Sequence, residues 1–492
     1  MSAFVQKTEN NKYFLFAVEA KIMDTVNINR RKITKSALIQ GICFALCFFT
    51  FQLAEFTVND KAAALVGVSS VNAVYSIGIA CTAVGFLSFS LARKLFQKDS
   101  ARRVFICIVG AFSIFFTVQI LFVKTQLIFL ISSFLLLLAL GHISGCVYYN
   151  SAMLFDGKEY TGRIIGVGMG CAVVMQYVVQ NLFVTDAAFL LSMVFSVAVL
   201  LYIIIKPSHD WILENPLPYS SENKTDYKTA TILVSSVIIM SLIIGLIDGV
   251  VVSKHAQGEL SVSSNSRLFY AASLIAAGFI SDINNRKYFA LSTVCTMFFS
   301  TISTAFMANS ATFFMGTAAM YIYSGFYVMF LTLSFIDFAP KTKAPTLWAG
   351  MGRICRSFVI SFTAVPVVYI FEYFGSSSLV MGSCVLSIAV LLILLKDIIS
   401  AMYAQKDTAE NNDTISNEKA LNTYCEYYGF TPREKEVFEK LISTENGNQE
   451  IADELFISRR VLQRHVASIY EKTGTKNRIG LYQSYWDFTS KK

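Results

Sequence analysis

Charge is what this sequence has least of. Of 492 residues only 15% are Asp, Glu, Lys or Arg, 54% are hydrophobic, and the mean hydropathy is +0.54. An ordinary soluble domain is about a quarter charged, so a wholly soluble chain is excluded and a membrane protein with a soluble appendage is expected. Histidine is scarcer still, with four in the chain. The ten cysteines never form a C-x-x-C. Cys43, Cys47, Cys81, Cys107, Cys146, Cys171, Cys295, Cys355 and Cys384 lie in or beside apolar runs and Cys425 is isolated, so neither disulfides nor a metal site are expected. G-x-S-x-G, a P-loop and paired histidines are all missing, which leaves no catalytic constellation and no cofactor to expect. The first residues lack the short apolar core and small-residue cleavage site of a signal peptide. Residues 1–35 read instead as a basic cytoplasmic arm ending in "NRRKITK", with Met23 an alternative start to Met1.

What the chain has in abundance is apolar runs near the ~20 residues that cross a ~30 Å hydrocarbon core. They fall near 36–57, 64–91, 104–123, 126–149, 163–183, 186–205, 229–252, 266–281, 288–308, 311–336, 350–371 and 376–399. Counting loops with their flanking span ends, one side carries 22 Lys and Arg and the other 4. That asymmetry predicts a multi-pass protein of the cytoplasmic (inner) membrane with both termini cytoplasmic.

The polar loop 206–228, with Pro207, Pro216 and Pro218, divides the membrane part into halves 36–205 and 229–399. The halves repeat weakly. "FQLAEFTV" parallels "IGLIDGVV", setting Glu55 opposite Asp248; "GRI" recurs at Gly162 and Gly352; "SG" recurs at Ser144-Gly145 and Ser324-Gly325. Parallel repeats of this kind are expected of transporters with a two-fold along the membrane normal. Between the eighth and ninth runs, "GFISDINNRK" (278–287) resembles the G-x-x-x-D-(R/K)-x-G-R-(R/K) loop of the major facilitator superfamily. Gly278, Asp282, Arg286 and Lys287 match; Ile283 and Asn285 depart from it. The resemblance implies two six-helix bundles around a central cavity.

Ionisable groups inside spans cost about 2.5–3.5 kcal/mol or more, so each asks for a role. Arg163, Arg353 and Lys396 lie at cytoplasmic span ends and read as positive anchors. Glu55 and Asp248 read either as ligand contacts or as solvated helix ends. His142 and Arg356 lie deeper, and with them form the expected ligand-binding set for an unidentified small molecule. Few carboxylates lie deep in the spans and the loop motif is incomplete, which favours a ligand sensor or anchor over an efficient transporter, an active secondary transporter being the alternative.

After Ile399 the composition changes. Residues 400–425, with "AQKDTAENNDTISNEKALN" at their centre, have no apolar periodicity and are expected to be a flexible linker of ~25 Å mean reach. Residues 426–492 then read as a small helical domain. Thr431 and Glu434 make a capping box with Pro432 at the first helical position, and Ser458 caps a helix whose inner face is Leu462, Val466 and Ile469. From Arg459 to Arg478 six basic residues face one acid, Glu471. A short helix, a turn and a basic helix form a unit that places its second helix in a DNA major groove. "TPREKEV", "GNQEIADELFIS" and "VLQRHVASIYEKTGTKNR" resemble the LuxR/GerE-type DNA-binding domain, with Val461 in place of the usual Thr and Gln463 in place of the usual Lys. The resemblance implies that Gln463 and Arg464 reach base edges of double-stranded DNA with Ala467 beside them, while Arg459, Arg460, Lys472 and Lys476 serve phosphates. It also implies a homodimer through the helix after Asn477, whose Ile479, Leu481, Tyr482 and Trp486 otherwise read as a cap on the small core.

The expected fold is therefore all-α: a polytopic bundle of twelve transmembrane helices in a 6+6, major-facilitator-like arrangement, plus a C-terminal four-helix helix-turn-helix domain. The expected function is a membrane-integrated transcriptional regulator. It would contact the lipid bilayer, double-stranded DNA and a small ligand.

Overall fold

The computed structural model describes residues 33–183, 185–205, 225–259, 261, 265–284, 286–306, 312–444 and 446–490, which form helices and connecting turns without a strand. The N-terminal arm to residue 32, most of the loop 206–228 with its three prolines, and Asn285 lie outside the described residues.

The chain divides into two compact units, residues 1–398 and 399–492. In the first, helices fall on the apolar runs: α1 (Lys35–Leu65), α2 (Val71–Leu95), α3 (Asp99–Phe122), α4 (Gln126–Leu154), α5 (Thr161–Leu182), α6 (Asp186–Ile205), α7 (Tyr227–Ala256), α8 (Arg267–Ser281), α9 (Phe289–Phe306), α10 (Phe313–Phe338), α11 (Met351–Thr363) and α12 (Pro366–Tyr427). Among the described residues nine helical segments are long and apolar enough to cross a membrane, and α8 and α9 are shorter apolar helices. Helix α1 carries two further turns beyond the expected residue 57, which puts Asp60 and Lys61 on helix rather than loop.

The eleventh run is not one helix. α11 stops at Thr363, two residues turn, and Pro366, lacking the N–H that a continuing helix needs, begins the next helix. α12 is itself interrupted at Gly375, whose φ of 71° a residue with a Cβ rarely adopts. Its backbone then stays helical through 400–425, in place of the flexible linker expected from composition. No Pro or Gly stands between Gly382 and Gly429, so no residue there breaks the helix.

The two halves meet crosswise: α5 of the first packs on α8 of the second, and α2 of the first on α11 of the second. Gly166 and Gly278 set the α5–α8 crossing. A Cβ on Gly278 would stand 2.5 Å from the Gly162 carbonyl oxygen and 3.0 Å from the Gly166 Cα. Small residues at such crossings let backbones approach where no hydrophobic force favours one apolar surface over lipid. The repeated "SG" has one job in both halves. Gly145 of α4 lies against Phe89 of α2, and Gly325 of α10 against Ser273 of α8.

The second unit contains the end of α12, then α13 (Pro432–Ser443), α14 (Asn448–Glu454), α15 (Arg459–Thr473) and α16 (Arg478–Ser490). Its core joins Val437, Phe438, Leu441, Ile451, Ala452, Leu462, Val466, Ile469 and Leu481 to Tyr424 and Cys425. The domain thus begins ahead of residue 426, since Tyr424 is fully buried and stacks on Phe438 with ring centroids 5.1 Å apart.

Candidate DNA-binding surface and membrane cavity

In the C-terminal unit the expected caps are all made. Thr431 accepts from the Glu434 N–H while the Glu434 carboxylate accepts from the Thr431 N–H. Ser458 caps α15 through the Val461 N–H, and Gly474 ends it at φ 68°. Leu462, Val466 and Ile469 anchor α15 on the core, so the opposite face turns outward. Arg459, Arg460, Gln463, Arg464 and Ala467 are all exposed on it, as is Lys476 beyond its end.

Lys472 is placed differently from expectation. Its ammonium donates to Glu434 at 2.6 Å and to the Gly429 carbonyl at 2.9 Å, so it ties α15 to the start of α13. Ser468 also donates to Glu434, at 2.6 Å. Desolvation raises the Glu434 pKa, but the hydrogen bonds from Lys472, Ser468 and Thr431 outweigh it and hold this carboxyl down at about 2. Arg478 has a similar structural role that the sequence did not announce. Its guanidinium donates to the carbonyls of Leu441, Thr444 and Asn446, capping the end of α13. On α16, Leu481 enters the core, while Ile479, Tyr482 and Trp486 share an exposed face at i, i+3 and i+7.

In the membrane unit a cavity of about 230 Å³ is lined by Glu55, Asp248 and Arg356, three of the four residues expected to hold a ligand. The symmetry-related acids therefore do converge. Asp248 accepts from the Tyr75 hydroxyl at 3.5 Å and lies 3.8 Å from Arg356. His142 stands apart. It is buried at a small aromatic pocket with Phe89 and Phe105, its Nδ1 2.8 Å from the Ser88 hydroxyl. Arg267, at the first turn of α8, is a cavity residue that sequence reasoning missed. It is 3% exposed, donates to Gln52, Gln176 and Tyr321, and stacks 4.3 Å from the Phe56 ring. A basic residue at a span edge reads as an anchor, and only the structure turns it inward. Arg353 departs from its anchor role for the same reason: it is 7% exposed and donates to the Tyr148 hydroxyl at 2.7 Å. Its repeat partner Arg163 is half-exposed and binds Asp282 at 3.0 Å. The side chain of Lys396 lies outside the described residues.

Asp282 of the partial loop motif accepts from the Gly162 and Arg163 N–H groups at 2.8 and 2.9 Å and from Arg286 at 3.0 Å. Arg286 also reaches Asp337 of α10 at 2.7 Å. Asp282 and Arg286 thus clamp α5, α8 and α10 together. Among the described residues no group of His, Cys, Asp or Glu is arranged to hold a metal.

Comparison with known proteins agrees with this division. Residues 429–485 match the family described as bacterial regulatory proteins, luxR family. The spore germination protein GerE of Bacillus subtilis (strain 168) is 44% identical over 48 residues, 10% of this chain. The chain spans 64% of that relative's length. Among solved structures, the human organic anion transporter TETRAN superposes with a TM-score of 0.53 at 12% identity, over 74% of this chain and 100% of that one. An auto-inhibited POT family peptide transporter gives 0.51 at 9% identity, over 74% and 96%. At such identities the likeness concerns the fold alone. The chain thus carries a luxR-type helix-turn-helix domain at its C-terminal end, preceded by a multi-span membrane domain with a transporter-like, major-facilitator-type fold.

Proposed function

We propose that this protein is a membrane-integrated transcriptional regulator. Its C-terminal domain binds double-stranded DNA, and a small molecule in the membrane cavity sets how strongly it does so. The observation that carries the reading is the outward face of α15, where three arginines, Gln463 and Ala467 are exposed and the polar side chains among them make no hydrogen bond to a described residue. In that pose Arg464 is suited to a guanine edge, Gln463 to adenine, and Arg459 and Arg460 to phosphates. The loop charge asymmetry supports placement in the inner membrane with both termini in the cytoplasm, on the side of the chromosome. A ligand that prefers one arrangement of the two halves would shift the bundle's population and with it the presentation of the tail. The exposed face of α16 supports pairing of two tails on two half-sites. Arg459, Arg460, Gln463, Arg464, Ala467 and Lys476 are the proposed DNA contacts; Glu55, Asp248, Arg267 and Arg356 are the proposed ligand contacts, and His142 is set aside.

A second reading, a secondary transporter with a regulatory DNA-binding tail, is favoured by the presence of that charged cavity at the junction of the two halves. The two solved structures named above are described as transporters, one of organic anions and one of peptides. The full-length protein in nanodiscs, incubated with sheared genomic DNA and sequenced for what it retains, tests the first reading. Enriched sites whose retention falls steeply with salt and is lost in Arg464→Ala are expected. Retention of no DNA at low salt would overturn it.

A further inference from the structure

The cavity and the pocket beside it together hold more buried positive charge than negative. Arg267 and Arg356 line the cavity and Arg353 lies in the adjoining pocket that Arg356 also lines, against the inward carboxylates Glu55 and Asp248; Asp60, the third acid on the cavity wall, is exposed and already paired with His255 at 3.0 Å. Arg356 meets Asp248 only at 3.8 Å, and its Nε has no hydrogen-bond partner among the described residues. Arg353 gives its Nε to Tyr148 and lies over the Phe48 and Tyr148 rings, and its buried Nη2 has no hydrogen-bond partner among the described residues. The hydrogen bonds of Arg267 to described residues go to neutral oxygens, those of Gln52, Gln176 and Tyr321. Guanidiniums withdrawn from water without a counter-charge are costly, and two carboxylates neutralise at most two of the three. Four aromatic rings, those of Phe56, Tyr75, Tyr270 and Tyr327, stand on the same wall among aliphatic side chains such as Ile244 and Val251.

We infer that the ligand is a small organic anion, a single carboxylate or equivalent oxyanion on a flat apolar body. The oxyanion is gripped by Arg356 together with Arg267, whose planar forks suit two-oxygen acceptors. The body lies against the aromatic wall, and Glu55 and Asp248 exclude dianions by repulsion. This names the ligand class of the regulator proposed above and rests on that reading.

Benzoate, benzamide and benzylamine share one ring and differ in charge, so their binding to the full-length protein in nanodiscs, measured by calorimetry, tests the class. Benzoate is expected to bind saturably and the other two at least ~10-fold more weakly. Arg356→Gln should weaken benzoate by ~10-fold or more, the scale of a lost charge-assisted hydrogen bond. Glu55→Gln should tighten it, a gain that a damaged fold does not produce. Preference for benzylamine, binding of none of the three, or benzoate binding indifferent to Arg356→Gln would overturn the inference. Affinity for sheared genomic DNA, read in the same samples with and without benzoate, separates the two ideas. Benzoate that binds and leaves DNA affinity unchanged overturns the gating and leaves the ligand class standing. Benzylamine that binds in its place and shifts DNA affinity overturns the class and leaves the gating standing.

Discussion

Among single residues, two basic groups close together in sequence are placed in opposite ways. Arg464 is exposed on the outer face of α15, whereas Lys472, two turns on, is held by Glu434 and the Gly429 carbonyl. Arg464→Ala should therefore leave thermal unfolding of the tail unchanged and lower affinity for an enriched site by roughly 10- to 100-fold, measured by fluorescence anisotropy. Lys472→Ala should do the reverse, lowering the unfolding midpoint while the salt slope of DNA binding stays within one unit of the parent. Glu434 adds a pH dependence of known sign. Its folded pKa is depressed to about 2, so its contribution is complete above the ordinary carboxylate range near 4.5 and is lost as pH falls from there toward 2. Glu434→Gln should flatten that part of the acid-unfolding curve, followed by circular dichroism, by about 1–2 kcal/mol after allowance for solvent screening. The capping box at Glu434 was legible because its partners are three residues apart. Its bond to Lys472 was not, because 38 residues separate them and nothing local encodes the pairing. The same reason hid Arg267, whose partners Gln52 and Gln176 are 215 and 91 residues away.

At the scale of elements, periodicity and run length located the long helices among the described residues, passed over the one-turn helix Pro345–Trp348, and misjudged where some helices end. Apolar runs of membrane length speak for themselves, since the bilayer demands a satisfied backbone over a fixed thickness. The break at Thr363–Pro366 left a weaker trace, because Pro is tolerated in membrane helices and its presence alone does not say whether the helix kinks or restarts. The helical backbone of 400–425 was missed because polar composition was read as absence of structure, although no residue there breaks a helix. The consequence reaches the small domain: Tyr424, near the end of α12, is buried against Phe438 and bonds Ser484 of α16 at 2.8 Å. A tail fragment cut at residue 426 should therefore be less stable than one cut at 415. Tyr424→Ala in the longer fragment should cost about 3–5 kcal/mol in urea denaturation, as expected for a large buried aromatic. The outer face of α16 belongs to the same scale. Ile479, Tyr482 and Trp486 are 71%, 47% and 55% exposed, more apolar surface than a cap on the core requires. Sedimentation of the longer fragment should show a dimer that Tyr482→Glu converts to monomer while its helical content is retained.

For the molecule as a whole, the repeat seen in the sequence is also the mechanics of the bundle. Helices second and fifth in each half carry the crosswise contacts, so any rearrangement of the halves must occur at the α5–α8 and α2–α11 crossings. The α5–α8 crossing is held by close backbone approach at Gly162, Gly166 and Gly278 and by the Asp282 carboxylate, which accepts from two N–H groups at the start of α5. A side chain at Gly278 has nowhere to go, since its neighbours are backbone atoms that cannot swing away. Gly278→Val should then wedge the halves apart and lower the stability of the membrane domain by roughly 1–3 kcal/mol, the range for overpacking. Gly382→Ala is the matched control: its Cβ would meet only the Leu246 Cδ1, at 3.4 Å, and the bundle should absorb it. Thermal unfolding of both variants in detergent, followed through the buried cysteines with a thiol-reactive dye, compares them directly. The tail has a core of its own, so DNA affinity of the isolated C-terminal fragment is untouched by either change. If the full-length Gly278→Val protein nevertheless differs from the parent in DNA affinity, while Gly382→Ala does not, the difference has crossed from the packing of the two halves to the tail. Equal affinities across the parent and both variants would mean that the bundle only anchors the DNA-binding domain.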